Sequence, residues 1–411
     1  MPRTTAVIVG GGQAGLAMSH CLSRFDVDHV VVERGQIGQR WRSQSWDSLR
    51  LLTPNWMTRL PGFRYDGADP HGFMRVGEWL ERLERYAATW RPPLLEHTSV
   101  DAVEQDGVGF RVVTSSGVWN ADVVVIATGY CDLSYVPAAS KRLPPAITQV
   151  VSSAYRRPEQ LPAGGVLIVG ASASGVQLAE EIHSSGRAVT LAVGRHIRLP
   201  RRYRGHDILW WLDRMGTLSR PVDRTTSDPH RRPSLQLVGR SDAAPLDLRA
   251  LHKQGVRVAG RLVDIDGSRV QFGDDLTRTT AAADLKMADV LARIDEHIAR
   301  TRSVAPPRDG FQPTWPLAFN ATRSVDLKRE RIDTVIWATG YRRAYPWLHI
   351  AVLDERGEIA QVDGETQVPG LYVLGFNYQR RLNSSFIDGV GADAQVIAER
   401  IAGTARATRV A

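Results

Sequence analysis

Cysteine is almost missing from this chain. Cys21 and Cys131 are the only two in 411 residues, and they form no CxxC pair. That excludes a disulfide framework and a vicinal dithiol for reducing disulfides. Lysine is scarce too: 48 of the 52 basic residues are arginine, and the formal net charge is +8. The arginines are scattered among acids rather than grouped in blocks. This argues against nucleic acid as a partner and for separate anion sites, such as those that take phosphates. No apolar run approaches the roughly 18 residues that a membrane span needs. The N-terminal apolar stretch is broken by Gly10, Gly11 and Gly12, so it reads as a strand and turn rather than a signal peptide. A cytoplasmic location is expected. The eleven histidines show no metal-ligand spacing, and no metal is expected. No Ser/His/Asp or paired-carboxylate constellation is evident, so no catalytic side chain is assigned.

What the chain does contain is one design used twice. VIVGGGQAG (7–15) and VLIVGASASG (166–175) are glycine turns about 160 residues apart, each following a β-branched apolar run. The first lies in a βαβ pattern: strand 4–10, helix 13–24, strand 27–33. An irregular aromatic stretch, 35–75, follows, as expected of a segment that caps a pocket. An amphipathic helix is predicted over 77–90 and a meander of strands over 100–129. The second unit has strand 164–170, helix 174–186 and strand 188–195. Helix 245–254, a hairpin over 261–272 turning at Asp266-Gly267, and helix 283–301 complete it. DTVIWATGY (333–341) echoes VVVIATGY (123–130). The pattern predicts an α/β protein with a duplicated nucleotide-binding domain, the second copy nested in the first, and segment 371–404 returning to the first.

In the first turn Gly10 permits the bend, Gly12 lets the backbone approach a pyrophosphate, and Gly15 allows close helix–strand packing. Gln13 and Ala14 open the helix, whose N–H groups face the phosphates. Glu33, 18 residues beyond Gly15, ends the second strand, where a carboxylate accepts from ribose hydroxyls. The second turn keeps Gly170 and Gly175, but Ser172 replaces the middle glycine, and Ser174 follows. Its next strand ends in Arg195, with Arg198, Arg201 and Arg202 soon after, and carries no acid. Arginine grips a 2′-phosphate that a carboxylate would repel, so NADPH is expected there over NADH.

These motifs resemble the flavin-containing monooxygenase family, in its bacterial single-component, NADPH-dependent form. The resemblance rests on VIVGGGQAG with Glu33, WRSQSWDSLRLLTP (41–54), both ATGY segments and SSAYRRPEQLPAGGVLIVGASASG (152–175). It implies two Rossmann-like domains, the NADPH domain inserted into the FAD domain. The expected bounds are 1–160 for the first part of the FAD domain, 161–325 for the NADPH domain with a helical insertion, and 326–411 for the return. It also implies flavin contacts from Trp41, Leu52, Thr53 and the C-terminal run. The further expected contacts are Arg34, Gln39, Arg40, Val100, Ala127, Thr128, Gly129, Ser385 and Phe386. Two departures stand out. Pro145, Ile147 and Val151 occupy the phenylalanine, glycine and histidine positions of the family fingerprint, although Tyr155 matches. Leu52 stands where many animal and yeast members carry asparagine.

The implied activity is monooxygenation. NADPH gives hydride to flavin, oxygen forms a C4a-(hydro)peroxide, and a small organic substrate receives one oxygen atom. Asn55, Trp56 and Asn383 are the substrate-pocket candidates, and RRYRGHDILWWLDRMG (201–216) either walls that pocket or packs its tryptophans into the core. Two other readings stay open: a flavin-dependent reductase or oxidase without oxygen insertion, and a non-catalytic flavin-binding regulatory protein. The sequence leaves the substrate unnamed and is compatible with a homodimer.

Overall fold

The two glycine turns sit on two separate sheets. The computed structural model describes residues 2–223, 234–308 and 322–410. In the first lobe β1 (Arg3–Val9), α1 (Gln13–Arg24) and β2 (His29–Val32) build the expected βαβ unit, with parallel strands. Ala6 to Val9 and Val30 to Val32 are buried, because helices and loops cover both faces of the strands. Helix α2 (Val76–Trp90) buries Val76, Trp79, Leu80, Leu83 and Tyr86, spaced three and four apart along one stripe. Short β3 (Leu94–Leu95) extends the sheet beyond β2, and β4 (Val100–Asp106), β5 (Gly109–Thr114) and β6 (Gly117–Ile126) form the antiparallel meander.

The second lobe begins with β7 (Thr148–Val151) and β8 (Gly165–Val169), then α3 (Ala173–Ser184) and β9 (Val189–Ala192). Helices α4 (Ile208–Arg214) and α5 (Leu248–Gln254), strand β10 (Arg257–Ala259), long helix α6 (Leu276–Thr301) and strand β11 (Ile332–Trp337) follow. The five strands are parallel in the order β10-β9-β8-β11-β7. The chain then returns to the first lobe. β12 (Leu371–Val373) runs parallel to Val124–Ile126 of β6, and α7 (Ile387–Val410) packs on α1. The second lobe is therefore inserted in the first, as the repeat predicts.

Five expected positions move. Thr148–Val151 and Ile332–Trp337 are strands of the second sheet, so the expected limits at 160/161 and 325/326 place both in the wrong lobe. The hairpin pairs Asp266 with Arg269, which makes Gly267-Ser268 the turn, with Gly267 at φ +54°. Helix α6 starts at Leu276, seven residues before the expected position. Helix α5 starts at Leu248, where the Asp247 carboxylate caps it by accepting from the Ala250 N–H at 2.9 Å.

One segment belongs to both lobes. Residues 43–52 lie early in the chain, between β2 and α2. Yet Trp46 is buried in the second-lobe core with Tyr155, Val166 and Ile168, and Leu49 packs against the same cluster. The Asp47 N–H donates to the Arg156 carbonyl at 3.0 Å. The Ser48 hydroxyl donates to Glu181 on α3 at 2.8 Å, and Arg156 donates to the Ser43 carbonyl.

Candidate dinucleotide sites

The two turns share one backbone geometry. Gly10 and Gly170 take φ of +113° and +110°, a region open to glycine. The N–H of each donates to the end of the neighbouring strand, Val32 at 2.8 Å and Ala192 at 3.0 Å. A Cβ on Gly10 would lie 2.7 Å from the Ala127 carbonyl oxygen, and one on Gly170 would overlap that of Ala338. A Cβ on Gly15 would overlap the Gly10 carbonyl oxygen, and one on Gly175 that of Gly170. Both ATGY segments thus do the same work, placing a strand-end carbonyl against the turn.

Gly12 and Ser172 both stand at helix N-caps with extended backbone, φ/ψ −83°/−170° and −78°/−173°. Neither helix has a side-chain cap bond, and a Cβ on Gly12 would meet nothing within 4 Å. Two N-termini thus present uncapped N–H groups. Serine costs the second turn nothing in backbone geometry, and the hydroxyl of half-buried Ser172 is spared from capping.

The strand ends differ as their sequences predict. Glu33 is buried, and its carboxylate accepts from the N–H groups of Gly11 at 2.7 Å and Gly35 at 3.0 Å. Glu33 therefore fixes the turn itself, and each carboxylate oxygen keeps a lone pair for a ribose hydroxyl. Arg195 is exposed and has no ion-pair partner among the described residues. Arg198 and Arg201 are not available to a phosphate. Buried Arg198 is paired with Asp247 at 2.9 Å and Asp284 at 2.5 Å, and buried Arg201 with Asp207 at 2.6 Å. Arg202 is exposed and donates to the Gly205 carbonyl at 3.0 Å.

The remaining expected contacts gather around the first turn. Trp41 donates through Nε1 to Gln13 at 3.1 Å. Gln39 accepts from the Gln36 N–H, and Arg40 grips the Cys131 carbonyl and Asp132, just after the first ATGY. Arg34 is exposed beside Glu33; Thr128 and Gly129 are half-buried, the latter at φ +76°. Val100 opens β4, two residues after Thr98, whose N–H donates to the Glu33 carbonyl at 2.8 Å. The return segment reaches the turn at Gly375, where a Cβ would come within 2.9 Å of the Ala14 Cβ. Ser385 donates to Asn377 at 2.7 Å, tying down the loop before α7. Gly375 and Asn377 were not singled out from sequence; the left-handed turn at Gly375, φ +78°, is visible only once the chain is folded.

The substrate-pocket candidates separate. Asn55 is a clip for its own loop: its amide donates to the Asp69 carbonyl and its oxygen accepts from the Met74 N–H, both at 2.8 Å. Trp56 packs with Leu52 and Phe386 against Met57, Leu212 and Leu218. Its Nε1, like Oδ1 of buried Asn383, has no partner among the described residues. Beside them Arg59 lies over the Trp56 ring and pairs with Asp388 and with Asp213 at 3.1 Å. Burial pushes the Asp388 carboxyl above its ordinary range, and hydrogen bonds from Arg59 and Asn383 pull against that rise. In the 201–216 segment Trp211 is core, donating to the Tyr203 carbonyl at 2.8 Å, while half-buried Trp210 stacks on His206.

Comparison with known proteins follows this geometry. The profile described as "Pyridine nucleotide-disulphide oxidoreductase" matches residues 7–207. An uncharacterized CzcO-like oxidoreductase of Geobacillus kaustophilus is 31% identical over 95% of this chain and 96% of its own length. The rice indole-3-pyruvate monooxygenase YUCCA8 is 27% identical over 98% of this chain and 92% of its own. The chain belongs to the family of CzcO-like oxidoreductases. A flavin-containing monooxygenase from Stenotrophomonas maltophilia shares the fold, with TM-score 0.67 at 20% identity over 98% of this chain and 100% of that one. The protein is an oxidoreductase of this family, and FAD and NADPH are the groups expected at its two turns. The residues present fit both groups. The first turn has an open face at Gly12 and a buried acid at its strand end, and the second has a spared hydroxyl and an unpaired arginine. No helix among the described residues is long and apolar enough to cross a membrane.

Proposed function

We propose that this family member is an NADPH-dependent monooxygenase that inserts one atom of dioxygen into a small organic substrate. The contrast between buried Glu33 and unpaired Arg195, at equivalent ends of two matching turns, carries the reading. On this reading FAD takes the first site and NADPH the second. The cysteines favour no rival electron path through sulfur. Burial pushes the Cys21 thiol up to about 12 and the Cys131 thiol to about 11, and neither has a cysteine neighbour.

When bound, FAD supplies hydride acceptance and oxygen activation. The chain supplies orientation and dryness. The amides opening α1 and α3 hold the two pyrophosphates, Glu33 the flavin-side ribose, and Arg195 the 2′-phosphate. Leu52, Trp56 and Phe386 exclude water from the reacting face. A planar apolar compound suits such a wall. Indole-3-pyruvate, named for the rice relative, is a first compound to assay.

The test is oxygen balance under ¹⁸O₂ across a panel of such compounds. One labelled product per NADPH consumed is expected for a true substrate. NADPH oxidation that yields only peroxide with every compound would assign a flavin oxidase, and no NADPH oxidation at all a non-catalytic flavoprotein.

A further inference from the structure

We infer that Arg201 is a positioning residue that locks the flavin-contacting loop to the NADPH lobe, and so sets the distance for hydride transfer. The inference rests on the reading above that the Leu52 region contacts flavin.

Arg201 lies in the second lobe, ahead of α4. Its side chain is 2% exposed, and its guanidinium makes four contacts, two to each lobe. One nitrogen donates to the Leu52 carbonyl at 2.9 Å and the Val238 carbonyl at 3.3 Å. The other donates to Asp207 at 2.6 Å, the residue that also caps α4. The flat face of the cation lies 4.7 Å from the centre of the Phe73 ring. Leu52 and Phe73 come from the first lobe, Val238 and Asp207 from the second.

A second contact holds the same loop. A Cβ on Gly239 would overlap the Leu51 carbonyl oxygen, so the second-lobe backbone touches the first-lobe backbone there. The Leu51 N–H in turn donates to the Met74 carbonyl at 2.9 Å. Burying a cation is costly unless paired, and one carboxylate, Asp207, would suffice for pairing. A second nitrogen is spent on main-chain carbonyls of two lobes, an arrangement that the planar fork of arginine permits and a lysine point charge does not, while the buried Nε–H has no partner among the described residues. Hydride transfer needs the reacting atoms within a narrow distance, so a loop released by even a fraction of an ångström slows it.

The test compares wild type, Arg201→Lys and Gly239→Ala as holoenzymes, with Arg198→Lys as a control. Arg198 is a buried arginine of the same lobe, paired with Asp247 and Asp284, and touches no first-lobe residue in those pairs. Three readouts are taken: anaerobic reduction of bound FAD by NADPH, the visible absorbance envelope of oxidised flavin, and amide exchange over residues 49–56. For Arg201→Lys and Gly239→Ala the reduction rate should fall about 10- to 100-fold with little change in the dissociation constant of NADPH. The flavin spectrum should shift and exchange over 49–56 should quicken in both. Arg198→Lys should keep the wild-type rate and spectrum. Wild-type rate and spectrum in Arg201→Lys, or an equal loss in Arg198→Lys, would overturn the inference alone. Gly239→Ala decides it if the Arg201 variant does not fold. A wild-type flavin that NADPH does not reduce would instead bring down the proposed function, and this inference with it.

Discussion

At the residue scale the second site turns on one side chain. Arg195, next to the β9 end, is exposed and has no ion-pair partner among the described residues; Arg198 and Arg201 are buried against carboxylates, and exposed Arg202 lies farther along and donates to the Gly205 carbonyl. A charge-assisted hydrogen bond contributes about 1.5–3 kcal/mol. Arg195→Ala should therefore raise KM for NADPH by roughly 10- to 100-fold, leave kcat nearly unchanged and leave the NADH reaction alone. Equal effects on both nucleotides in steady-state assays would remove the 2′-phosphate role. The thiols give a second prediction. With both thiols pushed far above neutrality, alkylation at pH 7.5 should leave NADPH oxidation intact, as assayed before and after iodoacetamide. A third concerns pH. Burial lowers the pKa of His29 and His196 below the ordinary 6.5, so the unfolded chain binds protons that the folded one resists. Their contribution to stability is complete above about pH 7 and is lost as pH falls through and below 6.5. The thermal midpoint should fall between pH 7 and 5.5, less steeply in His29→Gln. A flat profile in the wild type would count against it.

At the scale of elements, local chemistry was readable where one segment answers its own question. Helix α1 spans Gln13–Arg24, as the sequence predicts, because Gly12 and the apolar spacing after it determine both the start and the face. The return of the C-terminus to the first lobe was readable from the ATGY echo. Partners distant in sequence were not. Thr148–Val151 is a short β-branched run that fits an edge of either sheet, and only its pairing with Trp337 at the end of β11 assigns it. Trp46 read as the cap of a pocket, yet it is a core residue of the other lobe. Nothing in its neighbours, Ser45 and Asp47, signals that destination. Trp46→Ala should cost about 3–5 kcal/mol and lower the denaturant midpoint for the whole protein, since it empties a socket that both lobes share. A mid-transition plateau, with one lobe melting first, would contradict that coupling.

At the scale of the whole molecule, the insertion and the shared segment make the two dinucleotide sites parts of one object. Arg201, Gly239, Glu181 and Arg156 each hold a different point between Ser43 and Leu52. Charge had no say in this: the +8 net charge suggested anion sites but not which arginines are exposed, because burial against a carboxylate is invisible in composition. The duplicated turn was legible as two turns of one geometry, and the contrast between Glu33 and Arg195 as the difference between their strand ends. The lock between them was not, since it is made mainly by main-chain carbonyls, which every sequence has.

Trp46 also bears on how the chain is made. It leaves the ribosome more than a hundred residues before Val166 and Ile168, the strand it must pack against. Through that interval an indole built for a core has nowhere to go. The first lobe cannot close early, for its last strand and helix, β12 and α7, are synthesised at the end. The nested lobe is complete in sequence before β12 and α7 are made, and Trp46 is already on hand to join its core.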